Sequence, residues 1–316
     1  MAESRLAQLA TSPLLQNFAI TASQKAIRPV GQFIAPLCEV PDLTFRYKSY
    51  TENNRYRVPV TKRQPGAKAT VLGFAASDVS QTLEPNALDF PIPNAEQLSD
   101  EGLQFSIMEA QGTLADASAL ALENEIVQAA ITAAAASNLS QAADFTNANT
   151  DPIALLDNLI LSVMKAAKNG APVKILFGAT KFKQFRNNPN VRGRFVVGAG
   201  RSQGKDAVGI VSPTITDVGP LLMTNPEVQL SLMVIDQSVP GAAANIQFLL
   251  DTEVIVFASN GTPNRMDPSF MKTFAIMGGF FKSGSYTTED QRDQVLKMDW
   301  TTLPVVTNSA AVGALT

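Results

Sequence analysis

The chain has 316 residues, of which 45% are hydrophobic and 17% are charged, and its formal net charge at pH 7 is −3. This length is enough to bury a sizeable core in one large domain or in two joined ones. The sequence contains no His and one cysteine, Cys38, so it lacks the commonest general base and cannot form an internal disulfide. We therefore expect no catalytic residues, no metal site and no cofactor. Since no apolar run approaches the roughly 18 residues of a membrane span, we expect no membrane partner either.

Residues 1–45 show little periodicity and contain several prolines, which favour extended backbone in the residues before them. They are predicted to form an N-terminal arm that runs along another surface and does not pack on itself. Residues 46–95 contain two β-prone stretches on either side of a Pro65-Gly66 turn signal, which predicts an extended hairpin loop. Because Pro91 and Pro93 cannot donate to a sheet, we expect this segment at an edge.

Residues 98–136 carry the strongest helical signal, with a start near Ser99, a stop near Asn138 and a bend at Gly112. The residues spaced for one buried face are Leu103, Ile107, Ala110, Leu114, Ala117 and Ala121, followed by Leu122, Ile126 and Ala130. If continuous, 39 residues would span about 58 Å. The pattern predicts one long helix packed beneath a β-rich lobe.

From Asp151 the pattern is mixed α/β. A helix is predicted from Asp151-Pro152 to Gly170, followed by a buried strand (VKILFG) and a short basic helix (TKFKQFRNNP). Further strands are predicted at 228–235, 246–257 and 270–281, then VLKMDW at 295–300. The last ten residues, TNSAAVGALT, are predicted to fray.

Charge is strongly segregated along the chain. Residues 69–164 contain thirteen acids and no Lys or Arg, whereas 158–205 contain ten Lys or Arg and no acid. The first half of the predicted hairpin, 46–68, has seven basic residues and only Glu52 as an acid. Opposite blocks attract, so the fold should bring them together within one chain or between chains. Unselected variation on a solvated surface is the alternative explanation.

The motifs that could carry chemistry are weak. The segment 198–205, GAGRSQGK, lacks the first Gly and the final Ser/Thr of a phosphate-binding P-loop, which favours an ordinary surface loop. Asp251 and Glu253 are predicted on one face of a strand, where they could do acid–base work or bind a metal, although a solvated strand face is favoured. Cys38 is predicted to be an inert, partly buried thiol.

The basic segment 181–205 interleaves cations with Phe182, Phe185 and Phe195. Such a pattern could stack on and neutralise single-stranded nucleic acid. The same spacing is typical of an amphipathic helix that buries one face. The amphipathic helix is the favoured interpretation.

The order of these segments resembles that of tailed-phage major capsid proteins, whose fold is shared with encapsulins and the herpesvirus capsid floor. TKRQPGAKATVLGFAASDVSQTLEPNALDFPIPNAEQ is similar to the family's extended loop running into its spine helix, and TKFKQFRNNPNVRGRF is similar to a helix and loop of its axial domain. The resemblance implies an α+β fold with an N-terminal arm (1–45), an extended β-hairpin loop (46–95), a peripheral-domain spine helix (96–150), an axial domain (151–260), and closing peripheral-domain strands with a C-terminal tail (261–316). Some relatives crosslink a loop Lys to a neighbour's Asn; Lys62 and Lys68 lie in the matching loop, but no Asn partner is identifiable.

The resemblance implies a virion subunit that self-assembles into hexamers and pentamers and then into an icosahedral capsid around double-stranded DNA, held without sequence-specific binding. It implies assembly in the host cytoplasm and portal, scaffolding or decoration proteins as further partners. Two alternatives remain open. One is an encapsulin-type shell around a cargo enzyme, and the other is an α/β enzyme using Asp251 and Glu253.

The charge blocks also predict where subunits touch. We expect the basic half of the hairpin to dock on the acidic block of a neighbouring copy. The candidate contact residues are Arg55, Arg57, Lys62, Arg63, Lys68, Glu96, Asp100, Glu101 and Glu109.

Overall fold

The computed structural model describes residues 29–49, 61–63, 68, 77–93, 100–167, 170–194, 213–238, 243–277, 281–288 and 293–316. The helices within these ranges are α1 (Gly31–Ile34), α2 (Asp100–Ala135), α3 (Pro152–Ala167), α4 (Ala179–Asn187), α5 (Pro189–Arg194) and α6 (Ile215–Leu221). None of the helices in this part of the chain is long and apolar enough to cross a membrane.

The strands within the described ranges fall into four sheets. They are β1 (Leu37–Val40), β2 (Thr44–Ser49), β3 (Ser77–Thr82), β4 (Glu84–Pro93), β5 (Val173–Phe177), β6 (Glu227–Leu230), β7 (Val234–Asp236), β8 (Ile246–Phe248), β9 (Val254–Ala258), β10 (Met271–Ile276), β11 (Lys282–Thr287), β12 (Asp293–Val306) and β13 (Val312–Leu315). The mixture of helices and sheets confirms the predicted α+β class.

The largest sheet is built around the long strand β12. On one side β12 pairs with β11 and then β10, and on the other it pairs with β4 over ten residues. The strand β1 runs parallel to β10 and extends the sheet. Within this sheet β4 has one partner strand, so Pro91 and Pro93 lie at an edge, as predicted.

The second sheet has four strands in the order β13-β9-β5-β6. Every residue of β9 and β13 is buried. Because successive side chains of a strand point to opposite faces, neighbouring residues of β9 face different layers. Phe257 packs edge-to-face on Phe33 of α1, whereas Gly313, the partner of Val256, lies against Leu159 of α3. Helix α3 therefore covers one face of this sheet, and α1 with α2 covers the other.

Helix α2 contributes to the core of the large sheet and to the core of the four-stranded sheet. It is one uninterrupted helix of 36 residues, about 54 Å long, which confirms the predicted long helix. Its first half packs Ile107 and Leu114 against β4 and β12, and its second half packs Ile126 and Ala130 into the core of the four-stranded sheet. Ala117 and Ala121, which were predicted to be buried, are exposed because the buried stripe passes through Ala115, Ser118 and Leu122 instead.

One prediction about the chain ends was wrong. The tail is not frayed, since β13 pairs with β9 and the backbone of Thr316 is bonded in both directions to the segment after α2. Burial of Val312 and Leu315 is the physical reason. Residues 29–45, which belong to the predicted N-terminal arm, run along other parts of the protein, with Phe33, Ile34 and Val40 packed in its cores. Residues 1–28 of the predicted arm lie outside the described residues.

Two predicted strands, 228–235 and 246–257, are each divided in two. In both cases one part lies in the four-stranded sheet, as β6 or β9, and the other lies in a separate ribbon, as β7 or β8. The backbone N–H of Leu249 donates to the carbonyl of Met233 (2.9 Å), which joins the two points where the chain leaves the sheet. Sequence periodicity does not reveal this change of partner because both parts are β-prone.

Candidate intersubunit surfaces

The two strands at the base of the predicted hairpin, β2 and β3, pack on the large sheet. Strands β2 and β3 pair in antiparallel register from Thr44 opposite Thr82 to Ser49 opposite Ser77. Phe45 and Tyr47 turn inward and pack on Phe274, with ring centroids 4.4 and 5.5 Å away. This apolar anchor holds the β2–β3 pair on the large sheet.

A second contact joins β2 to the loop before β10. The N–H of Lys48 donates to the carbonyl of Arg265 (3.1 Å), in the loop before β10. That loop is held by the fully buried Lys272, whose Nζ donates to the carbonyls of Asn264 (2.8 Å) and Asp267. Burial lowers the pKa of Lys272, and the nearby Asp267 carboxylate partly opposes the shift. Together these groups hold the β2–β3 pair against the loop before β10.

The charge blocks meet in part within the chain. The ammonium of Lys48 pairs with Asp78 across the hairpin at 2.5 Å. Arg194, in the basic block, pairs with Asp151, in the acidic block, at 2.7 Å. The prediction that the fold juxtaposes opposite blocks is confirmed for these pairs.

The predicted contact residues are only partly within the described residues. Lys62, Arg63, Lys68 and Glu109 are exposed. Asp100 and Glu101 lie in the first turn of α2, but their side chains are outside the described atoms, as are Arg55, Arg57 and Glu96 entirely. Docking of the hairpin on a neighbouring copy stays a prediction.

The acidic pair Asp251 and Glu253 does not lie on a strand face. Both residues are in the loop between β8 and β9, at the start of α4. The Asp251 carboxylate accepts the N–H of Thr180 (2.9 Å), and the carbonyls of Asp251 and Glu253 accept those of Lys181 (3.0 Å) and Gly178 (2.8 Å). These bonds satisfy amides in the first turn of the helix, so the pair holds α4 in place. Burial raises the pKa of Glu253, and the charge of Lys181 opposes the shift.

The basic helix α4 buries its aromatic face. Phe182 and Phe185 pack on Phe177 with ring centroids 5.6 and 5.3 Å away, while Lys183 and Arg186 are exposed. This confirms the amphipathic-helix interpretation for these two rings, because buried rings cannot stack on bases. Phe195 and the segment 198–205 are outside the described residues.

Helix α4 and the residue after it hold the loop before α3 through hydrogen bonds to its backbone carbonyls. The amide of Asn188 donates to the carbonyls of Phe145 (3.0 Å), Asn147 (3.1 Å) and Thr150 (3.2 Å). The ammonium of Lys181 donates to the carbonyl of Ala143 (2.6 Å) and lies 5.0 Å from the Phe145 ring centroid. Burial lowers the pKa of Lys181. Sequence reasoning treated the Asn-rich stretch only as a basic segment and missed these hydrogen bonds.

A small cavity lies where α1, α2 and the large sheet meet. Its volume is about 170 Å³, and Pro29, Leu122, Glu123, Thr273 and Phe281 are among its lining residues. The buried carboxylate of Glu123 accepts the N–H groups of Val30 (2.9 Å) and Gly31 (2.7 Å). Desolvation raises the pKa of Glu123, and these two hydrogen bonds oppose the rise. Glu123 therefore attaches the N-terminal segment to the spine helix.

Chemistry at Cys38 is also disfavoured by its environment. The thiol is buried, and burial raises its pKa, which disfavours the reactive thiolate. Within the described ranges, no three His, Cys, Asp or Glu side chains come together in a group that could hold a metal ion.

Solved structures share this architecture over nearly the whole chain. A phage-related protein from Bordetella bronchiseptica RB50 matches with a TM-score of 0.66 and 15% identity, covering 96% of each chain. A structure from Microbacterium phage Oxtober96 matches with a TM-score of 0.53 and 10% identity, covering 91% of this chain and 90% of that one. The capsid structure of cyanophage P-SCSP1u matches with a TM-score of 0.50 and 9% identity, covering 89% and 86%. This is the phage capsid fold.

The structure of a virus-like particle is similar as well. A virus-like particle from Pyrococcus furiosus matches with a TM-score of 0.50 and 10% identity, covering 96% of this chain and 99% of that one. No protein-family model matches the sequence, and no curated protein matches it. At these identities the likeness defines the fold, and the resemblance inferred from the order of segments is confirmed at that level.

Proposed function

We propose that this chain is the structural subunit of a virion shell. It assembles into hexamers and pentamers that form an icosahedral capsid around double-stranded DNA, held without sequence-specific binding. The observation that carries the proposal is the fold, which matches the capsid structure of cyanophage P-SCSP1u over 89% of the chain. Portal, scaffolding or decoration proteins would be its other partners, the host cytoplasm its place of assembly, and the mature virion its final location.

The proposal assigns each residue range of the chain to a part of the capsid subunit. Residues 46–95 form the extended loop, 96–150 contain the spine helix, 151–260 form the axial domain and 261–316 close the peripheral domain. We modify this division at two places, because 29–45 belongs with the packed body and β13 belongs with the four-stranded sheet. No catalytic, metal or cofactor site is assigned to any of these parts.

An encapsulin-type shell around a cargo enzyme is the second candidate, supported by the likeness to the particle from Pyrococcus furiosus. Electron microscopy of the purified protein tests both. Closed shells that enclose DNA when formed in infected or induced cells support the virion subunit, whereas shells that consistently contain one co-purified protein support the encapsulin. A protein that stays monomeric at all salt and protein concentrations would exclude both.

The proposed loop contact gives a second test. Arg55, Arg57, Lys62, Arg63 and Lys68 would dock on Glu96, Asp100, Glu101 and Glu109 of the adjacent copy. Each exposed pair contributes only about 0.2–1 kcal/mol, but identical contacts repeat throughout a shell. The charge-reversed triple variant of Arg57, Lys62 and Arg63 should fold and fail to assemble.

The matched control reverses three exposed cations elsewhere, Lys183, Arg186 and Lys282, and should leave assembly intact. Changing Glu96, Asp100 and Glu101 to Lys in the same chain as the first triple change should partly restore shells. Normal assembly of the first triple variant would show that the hairpin is not the intersubunit clamp.

A further inference from the structure

The ribbon formed by β7 and β8 has an apolar outward face. Val234 pairs with Phe248 and Asp236 with Ile246, so these four side chains lie on the same face. Val234, Ile246 and Phe248 are all exposed, Ile246 by 68%. Ile235, on the opposite face, packs against the main core. The ribbon therefore presents three large apolar side chains and one acid to solvent, and we name these four residues the ribbon face.

A second apolar surface lies on α3. Leu161 and Met164 are three positions apart on the helix and share a face, and both are exposed. The N–H of Met223 donates to the carboxylate of Asp157 (3.0 Å), which places Met223 over the helix one turn before Leu161. Met223 is 66% exposed. With the exposed Lys165, these residues form what we name the helix patch: Leu161, Met164, Lys165 and Met223.

The two surfaces lie on different sides of the same lobe. The helix patch is on α3, which covers one face of the four-stranded sheet. The ribbon borders α2, which belongs to the opposite side, and a groove there is lined by Thr113, Asp116, Ala117 and Leu120 together with 232–234. One copy therefore cannot cover its ribbon face with its own helix patch.

The chemistry of the two surfaces is complementary. Each carries three large apolar side chains, which gain from being removed from water. The ribbon face adds the anion Asp236, and the helix patch adds the cation Lys165. The Asp236 carboxylate accepts the N–H groups of Ser238 and Asn245 (both 2.9 Å), which fixes its position. These hydrogen bonds also lower its pKa.

We propose that the ribbon face of one copy packs on the helix patch of the next copy. The contact joins two different surfaces, so it is heterologous, and its repetition closes a ring. This inference rests on the proposed function and deepens it, because it names the surfaces that join neighbours within a ring of subunits.

Two complementary double variants test the contact. The ribbon variant carries Ile246→Asp and Phe248→Asp, and the patch variant carries Met164→Asp and Met223→Asp. All four residues are exposed, so both variants should keep the circular dichroism spectrum and unfolding midpoint of the native protein. If either aspartate variant unfolds, the same positions changed to Ser replace it.

Each variant alone should stay a monomer of 33.7 kDa in light scattering. Their mixture should form a dimer of twice that mass and stop there, because only one intact ribbon face meets one intact helix patch. Met277→Asp is the matched control, since Met277 is 63% exposed and lies outside both surfaces; it should assemble as the native protein does.

Ring formation by either variant alone, or absence of dimers from the mixture, would overturn the head-to-tail contact. A patch variant that dimerises alone would instead indicate ribbon-to-ribbon pairing and would also overturn it. Failure of the native protein to assemble under any condition would refute the proposed shell function itself, and so the two failures are distinguishable.

Discussion

Glu123, in the middle of the spine helix, accepts the backbone N–H of Gly31 at 2.7 Å across 92 positions of sequence. The approach is close, because a Cβ at position 31 would lie 2.6 Å from Oε1 of Glu123 and 2.9 Å from Cδ1 of Ile126 and would displace these side-chain ends. The same carboxylate accepts the N–H of Val30. One side chain thus holds the point at which the N-terminal segment enters the body.

We expect Glu123→Ala to lower the free energy of unfolding by about 1–3 kcal/mol, because two backbone donors lose their partner in a buried place. Glu123→Gln keeps an oxygen acceptor and should cost less. Urea denaturation of the three proteins at neutral pH checks the order. Equal stability of the Ala and Gln variants would contradict the role of the hydrogen bonds.

The stability contribution of Glu123 should depend on pH. Burial raises its folded-state pKa above the ordinary value of 4.5. The folded chain therefore holds this proton more tightly than the unfolded chain does. The favourable contribution is present below pH 4.5 and is lost as pH rises through the folded-state pKa. As pH rises above 4.5, the native protein should lose this contribution and Glu123→Gln should not. The stability of the Gln variant relative to the native protein should therefore increase, and a difference that stays constant with pH would refute the raised pKa.

Gly178→Ala should be strongly destabilising. A Cβ at this position would lie 2.7 Å from the carbonyl carbon of Asp251 and 2.9 Å from the carbonyl oxygen of Glu253, which are backbone atoms that cannot swing away. We expect a loss of about 1–3 kcal/mol or more in denaturant unfolding. Gly193→Ala is the control, because its Cβ would meet no atom within 4 Å. Equal tolerance of the two changes would contradict the tight approach.

Gly112 should tolerate Ala but not Pro. It lies within α2, and a Cβ there would meet no atom within 4 Å, so Gly112→Ala should stabilise the helix by up to about 1 kcal/mol. Gly112→Pro removes a backbone donor and clashes with the preceding turn, at a cost of about 3 kcal/mol or more. Thermal unfolding of both variants measures the contrast, and similar melting temperatures would be inconsistent with a continuous helix.

The C-terminal strand should be essential for stability. Leu315 is fully buried in β13, so Leu315→Ala should cost about 2–5 kcal/mol. The adjacent Thr316 is exposed and contributes through its backbone, so Thr316→Ala should change stability by less than about 0.5 kcal/mol. Chemical denaturation compares them. A tolerated Leu315→Ala would mean that β13 adds little to the sheet.

Elements with local sequence signals could be predicted before the fold was known. The long helix α2 follows from apolar spacing, the edge position of β4 from its prolines, and the amphipathic nature of α4 from the spacing of Phe182 and Phe185. The order of these elements was enough to indicate the capsid fold, because that order reflects connectivity and not individual residues.

The contacts between distant segments could not be predicted from local patterns and are seen only in the folded protein. Asp251 looked like half of a strand-face pair, yet its carboxylate binds the first turn of α4, 71 positions away. The residues of β13 were predicted to lie in a frayed tail, yet they pair with the edge of β9 and are fully buried. Gly313 fits there since a larger residue would meet Leu159 at 2.7 Å. Such contacts depend on which surfaces long-range packing brings together, and local composition and periodicity carry no record of that.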